Sequence, residues 1–163
     1  ETSCMVSVAK FYLDFIVEES CGKCSPCRVG NKRLYELLDK ITLGKGTIDD
    51  LNLLKNLSKV IKDTALCGLG QTSPNPVLST IDNFWDEYLA HVVDHKCPAG
   101  QCKALKSYHI DPDNCIGCGV CARNCPVGAI KGEKKMPHEI NQALCIKCGT
   151  CYEKCKFNAI FIK

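Results

Sequence analysis

The sequence predicts an α+β chain in two parts, a helical domain over residues 1–102 and a smaller module over 103–163. Apolar residues recur at helical spacing through residues 5–94, and that pattern is lost after Cys97-Pro98. An internal repeat then takes over. Cys115, Ile116, Cys118, Gly119, Cys121, Cys125, Ala129 and Ile130 each recur thirty positions later.

The elements follow in order. Val8, Tyr12, Phe15 and Ile16, with Val6, Leu13 and Val17 nearby, predict a first helix over residues 5–19, ending where Cys21-Gly22 breaks the pattern. Pro26 suits a first helical turn, and Val29, Leu34, Leu37, Leu38 and Ile41 predict a second helix over 27–41. Gly44-Lys45-Gly46 reads as a turn. Thr47, with Asp50 three residues on, is a helix-capping signal for a third helix carrying Leu51, Leu54, Leu57, Ile61 and Leu66. Residues 67–76 hold two glycines and two prolines and read as loop. A fourth helix over 77–94 carries Ile81, Phe84, Trp85, Tyr88, Leu89 and Val92. Four amphipathic helices with short connections make a small four-helix bundle.

Fifteen cysteines in 163 residues are the anomaly of the composition. In a short secreted chain they would mean a disulfide scaffold. Here the count is odd and the cysteines sit in tight C-x2-C runs, which suit metal better than pairing. The sequence shows no signal-like apolar region and no run approaching the ~18 residues of a membrane span. The setting reads as reducing and cytoplasmic. The chain opens at Glu1 rather than at a methionine, which reads as a fragment of something longer.

The repeat carries C-x2-C-x2-C-x3-C twice, as Cys115, Cys118, Cys121, Cys125 and as Cys145, Cys148, Cys151, Cys155. This is the spacing by which thiolates hold paired 4Fe-4S clusters. A tight triplet wraps three corners of a cluster, and in two-cluster ferredoxins the fourth thiolate comes from the other half. Cys115, Cys118, Cys121 and Cys155 are therefore expected on one cluster, and Cys125, Cys145, Cys148 and Cys151 on the other. Residues 108–163 resemble the bacterial-type 2×4Fe-4S ferredoxins, which implies a ferredoxin-like βαββαβ module. One departure is Lys156, where the matching position of the first half is Pro126. A pair of zinc sites is the competing reading, but zinc sites draw ligands in two pairs rather than in triplets.

A further C-x2-C-x2-C, Cys21, Cys24 and Cys27, stands in ESCGKCSPCRVG. It needs a fourth thiolate, and Cys67 in TALCGLG is the candidate. This pattern resembles the 4Fe-4S site of the flavin-bearing, NADH-oxidising subunit of respiratory complex I and its soluble relatives, over residues 1–95. With the added ferredoxin-like tail, the chain is similar to beta subunits of NAD(P)-linked iron-only hydrogenases, electron-bifurcating ones included, and to related formate dehydrogenase subunits. In that family FMN and NAD(P) bind in a large preceding domain through a glycine-rich segment. No G-x-G-x-x-G follows a strand here, so neither is expected in this chain.

Cys4, Cys97 and Cys102 remain. Cys97 and Cys102 form C-x4-C, a usual zinc spacing, and with Cys4 and one histidine they would make a Cys3His zinc site. His91 is preferred to His95, which is too near Cys97 in the chain for both to aim at one ion. A further iron–sulfur cluster, free thiols, or histidines placed for a helix C-terminus are the competing readings. Such a zinc would brace the junction before the ferredoxin-like module. The formal charge of +3 invites a nucleic-acid reading, which is rejected. Three oxidised clusters and one three-thiolate zinc would bring it to about −4. Lys103, Lys106, Lys131, Lys134 and Lys135 then offset that charge.

The expected function is electron transfer between a flavin site of a parent hydrogenase-type complex and ferredoxin or a partner subunit, with neither nucleic acid nor membrane as partner. No catalytic residue is expected in this stretch, since Asp49-Asp50 and Glu18-Glu19 suit capping and solvation. An independent polyferredoxin carrier and a zinc-rich interaction scaffold are the alternatives.

Overall fold

The computed structural model describes residues 3–162. It divides into two compact units, the first ending at Leu105 and the second beginning at Lys106. No helix among the described residues is long and apolar enough to cross a membrane.

The first unit contains α1 (Met5–Glu19), a π-helical turn over Pro26–Gly30, α2 (Asn31–Thr42), α3 (Ile48–Thr64), α4 (Gly68–Thr72), α5 (Asn75–Asn83) and α6 (Trp85–Val92). Its core joins Val6, Ala9 and Leu13 of α1 to Leu34, Leu38 and Ile41 of α2, Leu51, Leu54 and Ile61 of α3, Val77 and Ile81 of α5, and Tyr88 and Val92 of α6. The buried stripe of α1 is not the bulky one. Tyr12 and Phe15 are 49% and 56% exposed, while the smaller residues of the opposite phase face inward. Close packing against α2 favours small side chains on α1, and aromatic bulk is a poor guide to phase there.

The third helix begins as the sequence predicts. The Thr47 hydroxyl accepts the Asp50 N–H at 3.3 Å, and Asp50 Oδ2 accepts the Thr47 N–H at 2.7 Å, a reciprocal capping box. Lys40 of α2 donates to both Asp50 oxygens at 2.9 and 2.7 Å. Burial pushes this carboxyl up, but the hydrogen bonds from Lys40 and Thr47 outweigh it and hold it below its ordinary range.

The predicted fourth helix is two. At Phe84 the backbone turns to φ −129° and ψ 40°, closing α5 and opening α6. Asp86 and Glu87 lie in the first turn of α6, where carboxylates meet the positive end of the helix dipole. The predicted loop over 67–76 contains α4, whose Gln71 amide donates to the Ala65 carbonyl at 3.0 Å.

The second unit runs β1 (Tyr108–Ile110), α7 (Val120–Arg123), β2 (Ile130–Lys131), β3 (Glu139–Ile140), α8 (Thr150–Lys154) and β4 (Ile160–Ile162). β1 pairs antiparallel with β4, Tyr108 opposite Ile162, and β2 with β3, Ile130 opposite Ile140. The repeat is visible in the backbone even where residue types differ. Gly117 has φ 69°, and its counterpart Lys147 adopts the same left-handed conformation at φ 59°. Only at Gly117 is a side chain excluded, since a Cβ there would lie 2.5 Å from both the N and O of Met136.

Thr47→Ala removes one half of the capping box and should cost the helical unit about 1 kcal/mol in urea denaturation. The share of stability owed to Asp50 is present above the ordinary aspartate range. It should be lost as pH falls through the lowered pKa of the folded state, and Asp50→Asn should flatten that acid limb.

Candidate iron–sulfur and metal centres

The first cysteine group is built where α1 stops. Ser20 leaves the helix in extended conformation, Gly22 turns at φ 72°, and the π-helical turn carries Cys27 into the interior. Arg28 donates through Nη1 to the Gly22 carbonyl at 3.4 Å, closing the loop. Cys27 is buried, and its sulfur lies 3.3 Å from the Ser20 hydroxyl and 3.4 Å from Asn31 Nδ2. Backbone N–H groups of Leu66 and Cys27 hold the Cys24 thiol below its ordinary range. On the other side, a Cβ at Gly70 would lie 3.3 Å from Cys27 Cβ and 2.7 Å from Ala65 Cβ. Leu66 therefore reaches Cys24 and Gly70 reaches Cys27, which seats Cys67 beside the triplet, at the N-cap of α4. Cys21 and Cys67 are exposed.

The second unit holds two cavities of similar size. One is lined by Cys115, Cys118, Cys121 and Cys155. The other is lined by Cys125, Cys145, Cys148 and Cys151. Each cavity thus gathers one tight triplet and the fourth cysteine of the other half. Gly119 and Gly149, in left-handed conformation, cap α7 and α8 on the cavity walls. Cys125 Sγ accepts the Ala129 N–H at 3.2 Å and Cys145 Sγ the Lys147 N–H at 3.4 Å. The Thr150 hydroxyl and N–H hold the Cys148 thiol below its ordinary range. Burial pushes Cys121 up, and Cys151 up to about 11. A bound metal deprotonates a coordinating thiol outright, so these raised values are compatible with ligation.

Two lining residues escape a reading confined to cysteines. Tyr108 lines the second cavity and packs against Gly149, and His138 lines the first beside Gly119. They stand thirty positions apart, so the repeat itself carries the signal that could have found them.

The remaining cysteines converge in the first unit. Ligand atoms of Cys4, His91, Cys97 and Cys102 lie within 4.8 Å of one another, and all four residues are buried. Cys4 Sγ is 3.3 Å from His91 Nε2 and 3.7 Å from Cys102 Sγ, and Cys102 Sγ is 3.4 Å from His91 Nε2. Tetrahedral ligands at ordinary zinc bond lengths stand about 3.8 Å apart for two sulfurs and about 3.5 Å for sulfur and nitrogen. The spacing fits such an ion. His91 donates through Nδ1 to the Glu87 carbonyl at 2.7 Å, which leaves Nε2 to face the sulfurs. The Glu87 carboxylate accepts the Met5 N–H at 3.0 Å, tying the start of α1 to α6. The Cys102 thiol and then His91 stabilise the Cys4 thiolate against burial and hold it well below the ordinary thiol range. Burial would lower His91, but its bonds to Cys4 and the Glu87 carbonyl lift it to about 9. His95 is exposed, with φ 49°.

Sets of four cysteines around cavities, on short helices and paired strands, define an iron–sulfur protein. Residues 7–91 match the family described as NADH-ubiquinone oxidoreductase-F iron-sulfur binding region, and the chain belongs to that family. Residues 108–131 and 138–161 each match the 4Fe-4S binding domain. The chain is 67% identical over 138 residues to NADP-reducing hydrogenase subunit HndC of Solidesulfovibrio fructosivorans, covering 85% of this chain and 28% of the relative. It is 36% identical over 107 residues to the alpha subunit of the NAD-reducing hydrogenase HoxS of Cupriavidus necator, covering 66% and 17%. A crystal structure of an NAD+-reducing [NiFe]-hydrogenase in the H2-reduced state superimposes with a TM-score of 0.54 at 32% identity, covering 60% of this chain and 17% of that one. The chain spans less than a third of the length of each.

Gly70→Ala would set a Cβ 2.7 Å from Ala65 Cβ and 3.3 Å from Cys27 Cβ, and should push α4 away from both. Iron quantification should show partial loss, with the loss confined to the EPR signal of the first unit.

Proposed function

We propose that this chain relays electrons through three 4Fe-4S clusters, between the flavin site of a parent NAD(P)-linked hydrogenase-type complex and ferredoxin or a partner subunit. The observation that carries the reading is the pair of cavities in the second unit, each lined by four cysteines. The third set rests on the Cys21, Cys24 and Cys27 triplet, with Leu66 and Gly70, the neighbours of Cys67, placed beside it. Such clusters, when bound, supply one-electron redox chemistry. The residues of the chain hold the thiolates, bring backbone N–H groups to the sulfurs and wall off water with apolar side chains such as Ile116 and Phe157 at one site and Val127 and Ile146 at the other.

The first unit is read as a four-helix bundle whose last helix is broken at Phe84, and the second as a ferredoxin-like module with boundaries near those of the two compact units. The likeness to HndC favours a hydrogenase parent, with FMN and NAD(P) bound outside this stretch. The setting is read as cytoplasmic.

Cys4, His91, Cys97 and Cys102 are read as a structural zinc site. The sulfur-rich donor set, the fixed histidine tautomer and the tetrahedral spacing support it. A closed set of four protein ligands leaves no open position for chemistry, so its work is to pin the start of α1 to the end of α6 and the loop that follows.

Metal analysis of the anaerobically purified chain should return about twelve iron and about one zinc. Cys102→Ala should release the zinc, keep the iron and lower the thermal midpoint. Less than half a zinc per chain alongside full iron would rule the zinc out. A colourless protein without dithionite-bleachable absorption would favour a zinc-rich scaffold instead.

A further inference from the structure

Asn31 and Ser73 are polar side chains with essentially no exposure, at 0% and 1%. Asn31 opens α2, a position that packing alone would fill as well with an apolar residue. Its Nδ2 lies 3.4 Å from Cys27 Sγ, and its Oδ1 lies 2.8 Å from the Ser73 hydroxyl. That hydroxyl is also 2.8 Å from the Gly70 carbonyl. A carboxamide can be turned either way, but a thiolate only accepts. With Cys27 ionised, the NH2 end must face the sulfur and the carbonyl end must face Ser73, whose O–H proton is shared between Oδ1 and Gly70. Every polar end of the pair is thereby satisfied, which is the condition for burying it.

We infer that Asn31 tunes the first iron–sulfur site by donating a hydrogen bond to the Cys27 thiolate, and that Ser73 is the positioning residue that holds its amide in the donating orientation. The inference rests on Cys27 being a ligand of that site, as proposed above. Reduction of a bound cluster adds one electron and so increases the negative charge on its sulfurs. A fixed N–H donor stabilises the reduced form more than the oxidised one, and hydrogen bonds to the sulfurs are one of the levers on potential. The pair therefore raises the potential of the first site. The effect is local, because Asn31 and Ser73 lie in the first unit, whereas Cys125 and Cys145 of the repeat receive backbone N–H groups.

The arrangement also has a mechanical side. Ser73 follows directly on α4, which Cys67 caps, and Asn31 follows the turn that carries Cys27. The bond between them joins the two segments that supply the four thiolates. A purely structural role would change cluster content. A tuning role changes the potential of a fully loaded cluster.

The test is potentiometric EPR on the whole chain, with iron quantified in each sample. Asn31→Leu should keep its iron and make reduction of the first cluster about tenfold less favourable, a shift of about 59 mV to the negative for one electron, with the other two midpoints unmoved. Ser73→Ala leaves the Cys27 contacts in place and should move the same midpoint in the same direction by less. If Asn31→Leu loses iron, Ser73→Ala alone decides. An unchanged or more positive midpoint in a fully loaded variant overturns the inference. Absence of a first-unit cluster from the unmodified chain overturns the ligand assignment instead.

Discussion

Three cysteines in C-x2-C-x2-C can wrap three corners of a cluster and no more, so each such run must find its fourth thiolate elsewhere. Much of the structure follows from that shortage. In the second unit each triplet shares its cavity with a cysteine of the other half, Cys155 beside the first triplet and Cys125 beside the second, and on the proposed reading the two halves complete each other. Neither half can then complete its site alone, and the β1–β4 and β2–β3 ladders fix the register in which they meet. In the first unit no second half exists. The proposed fourth corner, Cys67, is the N-cap of α4, a five-residue helix that lies close to Cys27 because Gly70 has no side chain.

Core size bears on the same point. The second unit buries only six residues in its central cluster, two of them cysteines. So small a core supplies little stability by itself, and bound metal is a usual supplement in domains of this size. The first unit has a larger helical core, with the Cys4, His91, Cys97 and Cys102 group built into its edge. Ligand sets and folding are there the same problem. Cys4 is at once the N-cap of α1, accepting the Ser7 N–H, and a member of the four-residue group.

Much of this was legible in the sequence, and for physical reasons. Cysteine spacing is an imprint of ligand geometry, so the three tight triplets and the Cys97–Cys102 pair can be read from it, whereas Cys67, Cys4 and His91 are reached by asking what each group still lacks. The structure brings His91, not His95, to the three sulfurs. The capping box at Thr47 and Asp50 is a local interaction and was equally readable. What failed was set by tertiary packing. The inward phase of α1 depends on how closely α2 approaches, and the aromatics Tyr12 and Phe15 pointed to the wrong face. The break at Phe84 carries no proline, and α4 forms from a glycine-rich stretch that packs both on nearby Ala65 and on distant Cys27. Asn31 and Ser73, forty-two residues apart, share no sequence pattern at all.

The claim that the fourth corner is exchanged between halves is tested most directly by Cys155→Ala, with iron counted and the clusters followed by EPR. The expected result is loss or conversion of the cluster held by Cys115, Cys118 and Cys121, with the one held by Cys145, Cys148 and Cys151 intact. Loss of the cluster in the same half as the mutated cysteine, with the distant one untouched, would contradict it.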